Sequence, residues 1–159
     1  MPEENTTVLS AQAAMMKFLD LMVQEDIPHW MELWHEEAVF EYPFAPDGFP
    51  QQVSGKQAIF DNFKDFPNTI KFFEFTDVQM HPTLNPDTLI IEFACRGRAV
   101  TTGKPYNQRY ISVVQMADGK IARYRDYWNP LVILEAFDGG DAFKSASHGD
   151  GVQNQEQAE

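Results

Sequence analysis

One carboxylate in the last predicted strand is the strongest candidate for chemistry. Residues 119–130 are typical of a turn followed by a strand, and alternate side chains of a strand share a face. Tyr124, Asp126 and Trp128 therefore point to the same side. A carboxylate between large aromatic rings is costly to bury unless it is paired or needed. Desolvation would raise the pKa of Asp126 and suit it to general acid or base catalysis, whereas an arginine partner would indicate a structural role.

Two further polar residues are predicted to act with Asp126. Arg109 is placed on the neighbouring strand, in an inward register shared with Ile111, where it would pair with Asp126 or bind a substrate carboxylate. The alternative is a solvent-facing arginine at the rim. The Tyr42 hydroxyl could donate a hydrogen bond to a ligand carbonyl, or could be a satisfied group of the core. The predicted catalytic set is Asp126, Arg109 and Tyr42.

Apolar side chains are predicted to surround this carboxylate and bind the substrate. They are Met15, Phe18, Met22, Phe93, Ile111, Tyr124 and Trp128. Methionine suits a large, flat or variable ligand, although core packing explains the same residues equally well. The expected partner is a small hydrophobic molecule.

Composition narrows the class of protein. The chain has 159 residues, which suits one domain, and its net charge of −12 disfavours nucleic acid and anionic membranes as partners. The sequence shows no apolar run long enough to span a membrane and no signal peptide, so we expect a cytoplasmic protein. Cys95 is the single cysteine and the histidines match no metal motif, so we expect neither metal nor cofactor.

The elements that must position these residues follow an order of helices first and strands later. Helical spacing predicts helices over residues 10–24, from Pro28 through Trp34, and over 55–65, with 43–54 as a loop. Strands are predicted at 38–42, 70–80, 87–98, 106–117 and 120–129. Residues 130–137 form either a short closing helix or an extended arm.

This order favours an α+β domain with helices on one face of a curved antiparallel sheet. We expect the domain to cover residues 10–137, after a loose lead of residues 1–9. Residues 138–159 are rich in Gly, Asp, Gln and Ser, which predicts a disordered tail.

Several short motifs, in order, resemble the nuclear transport factor 2-like superfamily. They are Glu-Glu-Ala-Val-Phe-Glu-Tyr-Pro at residues 36–43, Gly-Lys at 55–56 and Asp-Gly-Lys-Ile at 118–121. The SnoaL-like and ketosteroid isomerase-like branches are the most similar. The resemblance implies a cone made of a curved sheet wrapped by three helices, an apolar pocket inside it, and a homodimer formed through the outer sheet face.

The catalytic residues of two branches are missing. The positions of the steroid-isomerase base, oxyanion tyrosine and protonated aspartic acid hold Tyr42, Phe18 and Ile111. The polyketide cyclases carry an aspartate after the tryptophan of the last strand, where this chain has Asn129. The resemblance therefore does not extend to either mechanism.

The phenazine biosynthesis A/B proteins offer a better match. Residues 125–129, Arg-Asp-Tyr-Trp-Asn, resemble their last strand with Asp for Glu, and Phe66, Pro67 and Glu92 also have counterparts. Their partner histidine is replaced by Asn62. This resemblance implies that Asp126 is a general acid or base in a pocket.

The predicted function is a cofactor-independent enzyme that acts on a hydrophobic, cyclic carbonyl compound. The reaction would be an isomerisation, cyclisation, dehydration or condensation driven by proton transfer. A ligand-binding protein without catalysis is the first alternative, since the fold is also used for binding alone. A dimeric assembly domain with a filled cone is the second.

Overall fold

A computed structural model describes residues 9–139 of the chain and confirms the α+β class. The elements in order are α1 (Ala11–Gln24), α2 (Ile27–Met31), β1 (Trp34–Glu41), β2 (Gln52–Ser54), α3 (Lys56–Phe63), a 3-10 turn (Phe66–Asn68), β3 (Ile70–Pro82), β4 (Thr88–Ala99), β5 (Pro105–Ala117), β6 (Lys120–Trp128) and α4 (Pro130–Ala136). They build one six-stranded sheet in the order β2-β1-β6-β5-β4-β3. All neighbours are antiparallel except β1 and β6.

Helix α1 begins as its sequence predicts. The Ser10 hydroxyl accepts a hydrogen bond from the backbone N–H of Ala13 at 3.1 Å, which satisfies a donor that the first turn leaves free. Glu25 ends the helix in the left-handed conformation, with φ of 60°. The apolar face of α1 is buried, and Met15 is completely covered.

Three local predictions need correction or completion. Trp34 begins β1 and does not extend the second helix, although its ring still lies 5.2 Å from that of Trp30. The predicted loop at 43–54 ends in the short strand β2, which pairs with β1. Residues 130–136 form a helix, α4, and the Asn129 side chain accepts a hydrogen bond from the Leu131 N–H at 3.0 Å. Residues 1–8 of the predicted lead and 140–159 of the predicted tail lie outside the described residues.

The register of β5 is opposite to the prediction. Ser112 pairs directly with Asp126, and Val114 pairs with Tyr124. Directly paired residues share a face of the sheet, so the even-numbered residues of β5 face the helices. Arg109 and Ile111 consequently lie on the outer face, where the Ile111 side chain is 45% exposed.

Aromatic rings fill the space between the helices and the sheet. The Phe18 ring stacks on Tyr124 with centroids 5.1 Å apart and planes 2° from parallel, and Phe40 stacks on the same tyrosine at 4.8 Å. Trp30 and Trp34 complete this cluster. Each such pair adds about 0.5–1.5 kcal/mol of stability beyond its buried area.

Candidate active site

Asp126 lies on the inner face of β6, where two apolar cavities meet. One, the loop-side lobe, has a cavity volume of about 60 Å³. The other, the helix-side lobe, has a cavity volume of about 50 Å³. The lobes share four lining residues, which we call the waist: Phe63, Phe66, Tyr110 and Asp126.

Each lobe is named after an element that lines this lobe and not the other one. The loop between β1 and β2 lines the loop-side lobe together with α3, β3, β5, β6 and α4; its residues beyond the waist are Tyr42, Ala45, Phe49, Pro50, Asn62, Ile70, Tyr106, Trp128 and Ile133. Helix α1 lines the helix-side lobe together with β1, β3, β4 and β6; its residues beyond the waist are Phe18, Met22, Phe40, Phe72, Phe75, Phe93 and Tyr124.

The surroundings of Asp126 raise its pKa to about 8. Desolvation is the main cause, because apolar groups replace the water that would stabilise the charge. The side chains of Ser112 and Trp128 act in the opposite direction by favouring the ionised form. Because the carboxyl group borders the cavities, a ligand in either lobe can touch it.

Arg109 does not neutralise this carboxyl group, and the predicted pair is wrong. Its side chain is 68% exposed and lies 3.5 Å from the Asp77 carboxylate on the outer face. The alternative of a rim arginine describes its position, because Arg109 lines only an open outer groove of about 400 Å³. The pKa of Asp126 is accordingly raised and not lowered.

Tyr42 is a hydrogen-bond donor with a fixed orientation. The Asn62 side-chain amide donates to the Tyr42 hydroxyl oxygen at 3.2 Å, so the phenolic proton remains available for another acceptor. Burial, with the nearby Asp126 charge as a smaller cause, raises the pKa of Tyr42 well above its ordinary value. The hydroxyl therefore stays protonated at neutral pH.

Two further buried hydroxyl groups come from β5. The Tyr110 and Tyr106 hydroxyl oxygens lie 3.2 Å apart. Burial raises the pKa of Tyr110 well above its ordinary value and that of Tyr106 in the same direction. The Cys95 thiol lies nearby with its pKa raised to about 11 by burial, so it is protonated and a poor nucleophile.

The structure brings most of the predicted site residues together. Asp126 borders both lobes, Tyr42 and Trp128 line the loop-side lobe, and the helix-side lobe is lined by Phe18, Met22, Phe93 and Tyr124. Met15 is buried in the core and lines neither lobe. Arg109 and Ile111 lie on the other face of the sheet.

Sequence reasoning missed the polar residues of β5. Tyr106, Tyr110 and Ser112 face the site, whereas the sequence analysis predicts that the odd-numbered residues point inward. The sequence did contain a signal. The even-numbered set ends in Val114 and Met116, whose apolar side chains favour the buried face. Hydrophobicity alone did not separate the sets, because Ile111 and Val113 belong to the outer one.

The described residues hold no group of three histidine, cysteine or acidic side chains that could bind a metal ion. No helix within residues 9–139 is long and apolar enough to cross a membrane.

Comparison with known proteins agrees with the fold. Residues 16–124 match the SnoaL-like domain. The uncharacterized protein YesE of Bacillus subtilis is 50% identical over 123 residues, which cover 77% of this chain and 84% of that protein. An uncharacterized PhzA/B-like protein of Pseudomonas aeruginosa is 39% identical over 134 residues, covering 84% and 94%.

Solved structures give the same result. A Bacillus subtilis protein described as an inferred isomerase superposes with a TM-score of 0.79 at 48% identity, covering 81% of this chain and 93% of that one. An inferred polyketide cyclase of Pseudomonas putida superposes with a TM-score of 0.70 at 15% identity, covering 80% and 98%, which shows a shared fold. The predicted resemblance is confirmed, and the chain belongs to the SnoaL-like domain family, within the nuclear transport factor 2-like fold.

Proposed function

We propose that this protein is an enzyme that moves a proton on a hydrophobic, cyclic carbonyl compound without a cofactor, with Asp126 as the general base and acid. One observation carries the proposal: a carboxyl group with a pKa of about 8 forms the shared wall of two apolar cavities. Perturbed carboxyl groups in such cavities are concentrated at catalytic sites.

The pKa value suits this chemistry. At pH 7 about a tenth of Asp126 is ionised, and this fraction removes a proton from the carbon next to the carbonyl group. The resulting enolate oxygen is stabilised by a tyrosine that stays protonated, with Tyr42 as one donor. When a carbon–carbon double bond of the substrate is conjugated with this enolate, the protonated Asp126 returns the proton to the far carbon, which shifts the double bond and restores the carboxylate.

The relatives support the class of reaction. The Bacillus subtilis structure at 48% identity is described as an inferred isomerase, and the Pseudomonas aeruginosa relative is described as PhzA/B-like. Neither description names a substrate. Cyclisation, dehydration or condensation would use the same proton transfer and belong to the same proposal.

Deuterium exchange tests this proposal without the natural substrate. 1-Tetralone, a neutral bicyclic ketone, is incubated with the protein in D₂O, and loss of the proton signal next to the carbonyl is followed by NMR. We expect catalysed exchange whose rate constant rises tenfold per pH unit and levels off near pH 8, as the base ionises.

Binding without exchange would contradict catalysis of this type. Quenching of Trp128 fluorescence by 1-tetralone reports occupancy independently of turnover, since this residue lines the loop-side lobe. Saturable quenching with no exchange at any pH would favour the alternative of a ligand-binding protein.

We also propose a homodimer through the outer sheet face. The open groove that carries Arg109 also contains the exposed side chains of Phe44 and Ile111, which are 57% and 45% exposed. Sedimentation equilibrium tests this, because Ile111→Asp should convert a dimer into a monomer, and a wild-type monomer would contradict the proposal.

A further inference from the structure

The loop-side lobe is too small, as it stands, for a cyclic compound. Its cavity volume is about 60 Å³, which is enough for a few water molecules. An apolar cavity that binds a single ring such as benzene has about 150 Å³. Because protein interiors are closely packed and yield little, part of the wall must move before such a ligand can enter.

Most of this wall is held in place by other elements. Strands β5 and β6 are paired along their length. Helix α4 is tied at both ends. The Gln108 side chain both accepts from the Asn129 N–H and donates to the Asn129 carbonyl, each at 3.0 Å, where the helix begins. Where it ends, the Thr102 hydroxyl donates to the Ala136 carbonyl at 2.6 Å. Movement of α4 would therefore break hydrogen bonds to other elements.

The loop between β1 and β2 is closed on itself. The Tyr42 N–H donates to the Gln51 carbonyl at 2.9 Å, and the Gln51 side-chain amide donates to the Ala45 carbonyl at 3.1 Å. Both bonds lie within the loop, so neither ties it to a helix or to another strand. Ala45 and Pro50 are half-buried and line the lobe, so a single layer of chain separates the lobe from solvent here.

A tight turn in this loop directs one large ring inward. The Phe49 N–H donates to the Pro46 carbonyl at 3.0 Å, and Gly48, the third residue of the turn, has φ of 87°. A positive φ at this position is typical of a type II turn and favours glycine. Phe49 is 8% exposed and lines the lobe, whereas Phe44 of the same loop is 57% exposed. The ring of Phe49 therefore covers the lobe from the solvent side.

We propose that residues 43–50 form a lid, closed in this structure, and that Phe49 is the gate of the loop-side lobe. When the lid lifts, Phe49 leaves the lobe, and a compound of one or two rings takes the space. This inference rests on the proposed function for the place of the ligand beside Asp126, and it adds a residue that controls entry and ligand size.

The association rate of 1-tetralone tests the gate. Stopped-flow quenching of tryptophan fluorescence gives the association rate constant. The wild-type protein binds only from its open state, which lowers the apparent rate constant by the open fraction. Phe49→Ala removes the ring that covers the lobe, so the rate constant should rise at least about tenfold. Equal rate constants in wild type and Phe49→Ala would overturn the inference.

Phe73→Ala is the matched control for this variant. The Phe73 side chain is 41% exposed and lies on β3, at the opposite edge of the sheet from β2. Its loss should leave the association rate constant unchanged, and a rise equal to that of Phe49→Ala would contradict the gate. Circular dichroism checks folding, and Phe49→Leu replaces the alanine variant if that variant does not fold.

Hydrogen exchange of the unliganded wild-type protein tests the lid without a variant or a ligand. The amides of Ala45 and Phe49 are hydrogen-bonded within the loop, whereas the Phe137 amide donates to the Ile133 carbonyl at the end of α4. We expect protection factors at least about tenfold lower for the two loop amides than for Phe137, because the loop opens locally. Equal protection would overturn the lid.

Deuterium exchange into 1-tetralone separates this inference from the proposed function. Faster association in Phe49→Ala, with no deuterium exchange in any form of the protein, would refute the enzyme and retain the lid. Catalysed deuterium exchange, with an association rate constant that Phe49→Ala leaves unchanged, would refute the lid and retain the enzyme.

Discussion

The two faces of strands β5 and β6 have the same backbone and opposite chemistry. On the inner face Asp126, Tyr110 and Ser112 lie among apolar rings with few polar partners, and the pKa of Asp126 rises to about 8. On the outer face charged groups are paired and hydrated: Arg109 lies 3.5 Å from Asp77, with side chains 68% and 61% exposed.

This difference shows that the environment of a charged residue decides its role more than its type does. The outer pair is screened by water, so it contributes little to stability or to any reaction. The inner carboxyl group is only partly exposed and lies among apolar side chains, so its ionisation is costly and its proton is available near neutral pH. Alternate residues of one strand thus separate a hydrated surface from a candidate reaction site.

The largest effect should come from removing the inner carboxyl group. Asp126→Asn keeps the shape of the side chain but cannot carry a proton to and from carbon, so exchange of 1-tetralone should fall by about 10²–10⁴-fold. Arg109→Gln, on the outer face, is the control and should leave the rate unchanged. An equal loss of exchange rate in the two variants, or no loss in Asp126→Asn, would show that the two faces do not differ in this chemistry.

The second effect is on stability as a function of pH. The folded pKa of Asp126, about 8, exceeds its ordinary value of 3.8, so the folded state binds the extra proton between these values. This group's contribution to the free energy of unfolding therefore falls as pH rises from about 4 to about 8, and is constant beyond.

Urea unfolding of wild type and Asp126→Asn at matched pH values measures this contribution. The variant should gain stability relative to wild type by on the order of 6 kcal/mol across that range. A difference that does not change with pH would mean that Asp126 is hydrated in the folded protein.

A smaller effect sharpens the description of the inner face. The Ser112 side chain favours the ionised form of Asp126, so Ser112→Ala should raise the pKa of the carboxyl group further. The pH at which the exchange rate levels off should then move upward. An unchanged or lower midpoint would show that Ser112 does not act on the carboxyl group.

The smallest effect concerns the outer pair. Arg109→Ala should change the free energy of unfolding by less than about 1 kcal/mol, because both side chains are largely exposed. A loss of several kcal/mol in urea unfolding would show that the outer face contributes more than its hydration indicates.

Much of the fold could be predicted because local rules suffice for it. The Ser10 cap, the helical spacing of α1 and the turn at Asp118 and Gly119 each depend on neighbouring residues. The inward face of β6 was also predictable, since the large aromatic side chains of Tyr124 and Trp128 share one face of the strand and favour burial. Short elements such as β2 depend on pairing with β1, which no local pattern reveals.

The candidate site was predicted in part for the same reason. Asp126 belongs to a strand whose alternation is clear, whereas Arg109 belongs to one in which both faces carry apolar residues. A shift of one residue exchanges the faces of a strand, so Arg109 was placed inside and Tyr110 outside. Gln108 and Asn129, which hydrogen-bond to each other beside Tyr106, meet only through tertiary structure.

The most direct test of the account is a titration of Asp126 itself. Protein labelled with ¹³C at aspartate carboxyl carbons is followed by NMR from pH 4 to 10, with Asp126→Asn used to assign the signal. We predict a midpoint near 8 for Asp126. A midpoint near 4 would mean that the carboxyl group is ionised and hydrated at neutral pH, and would contradict its proposed role as the base of an enclosed apolar site.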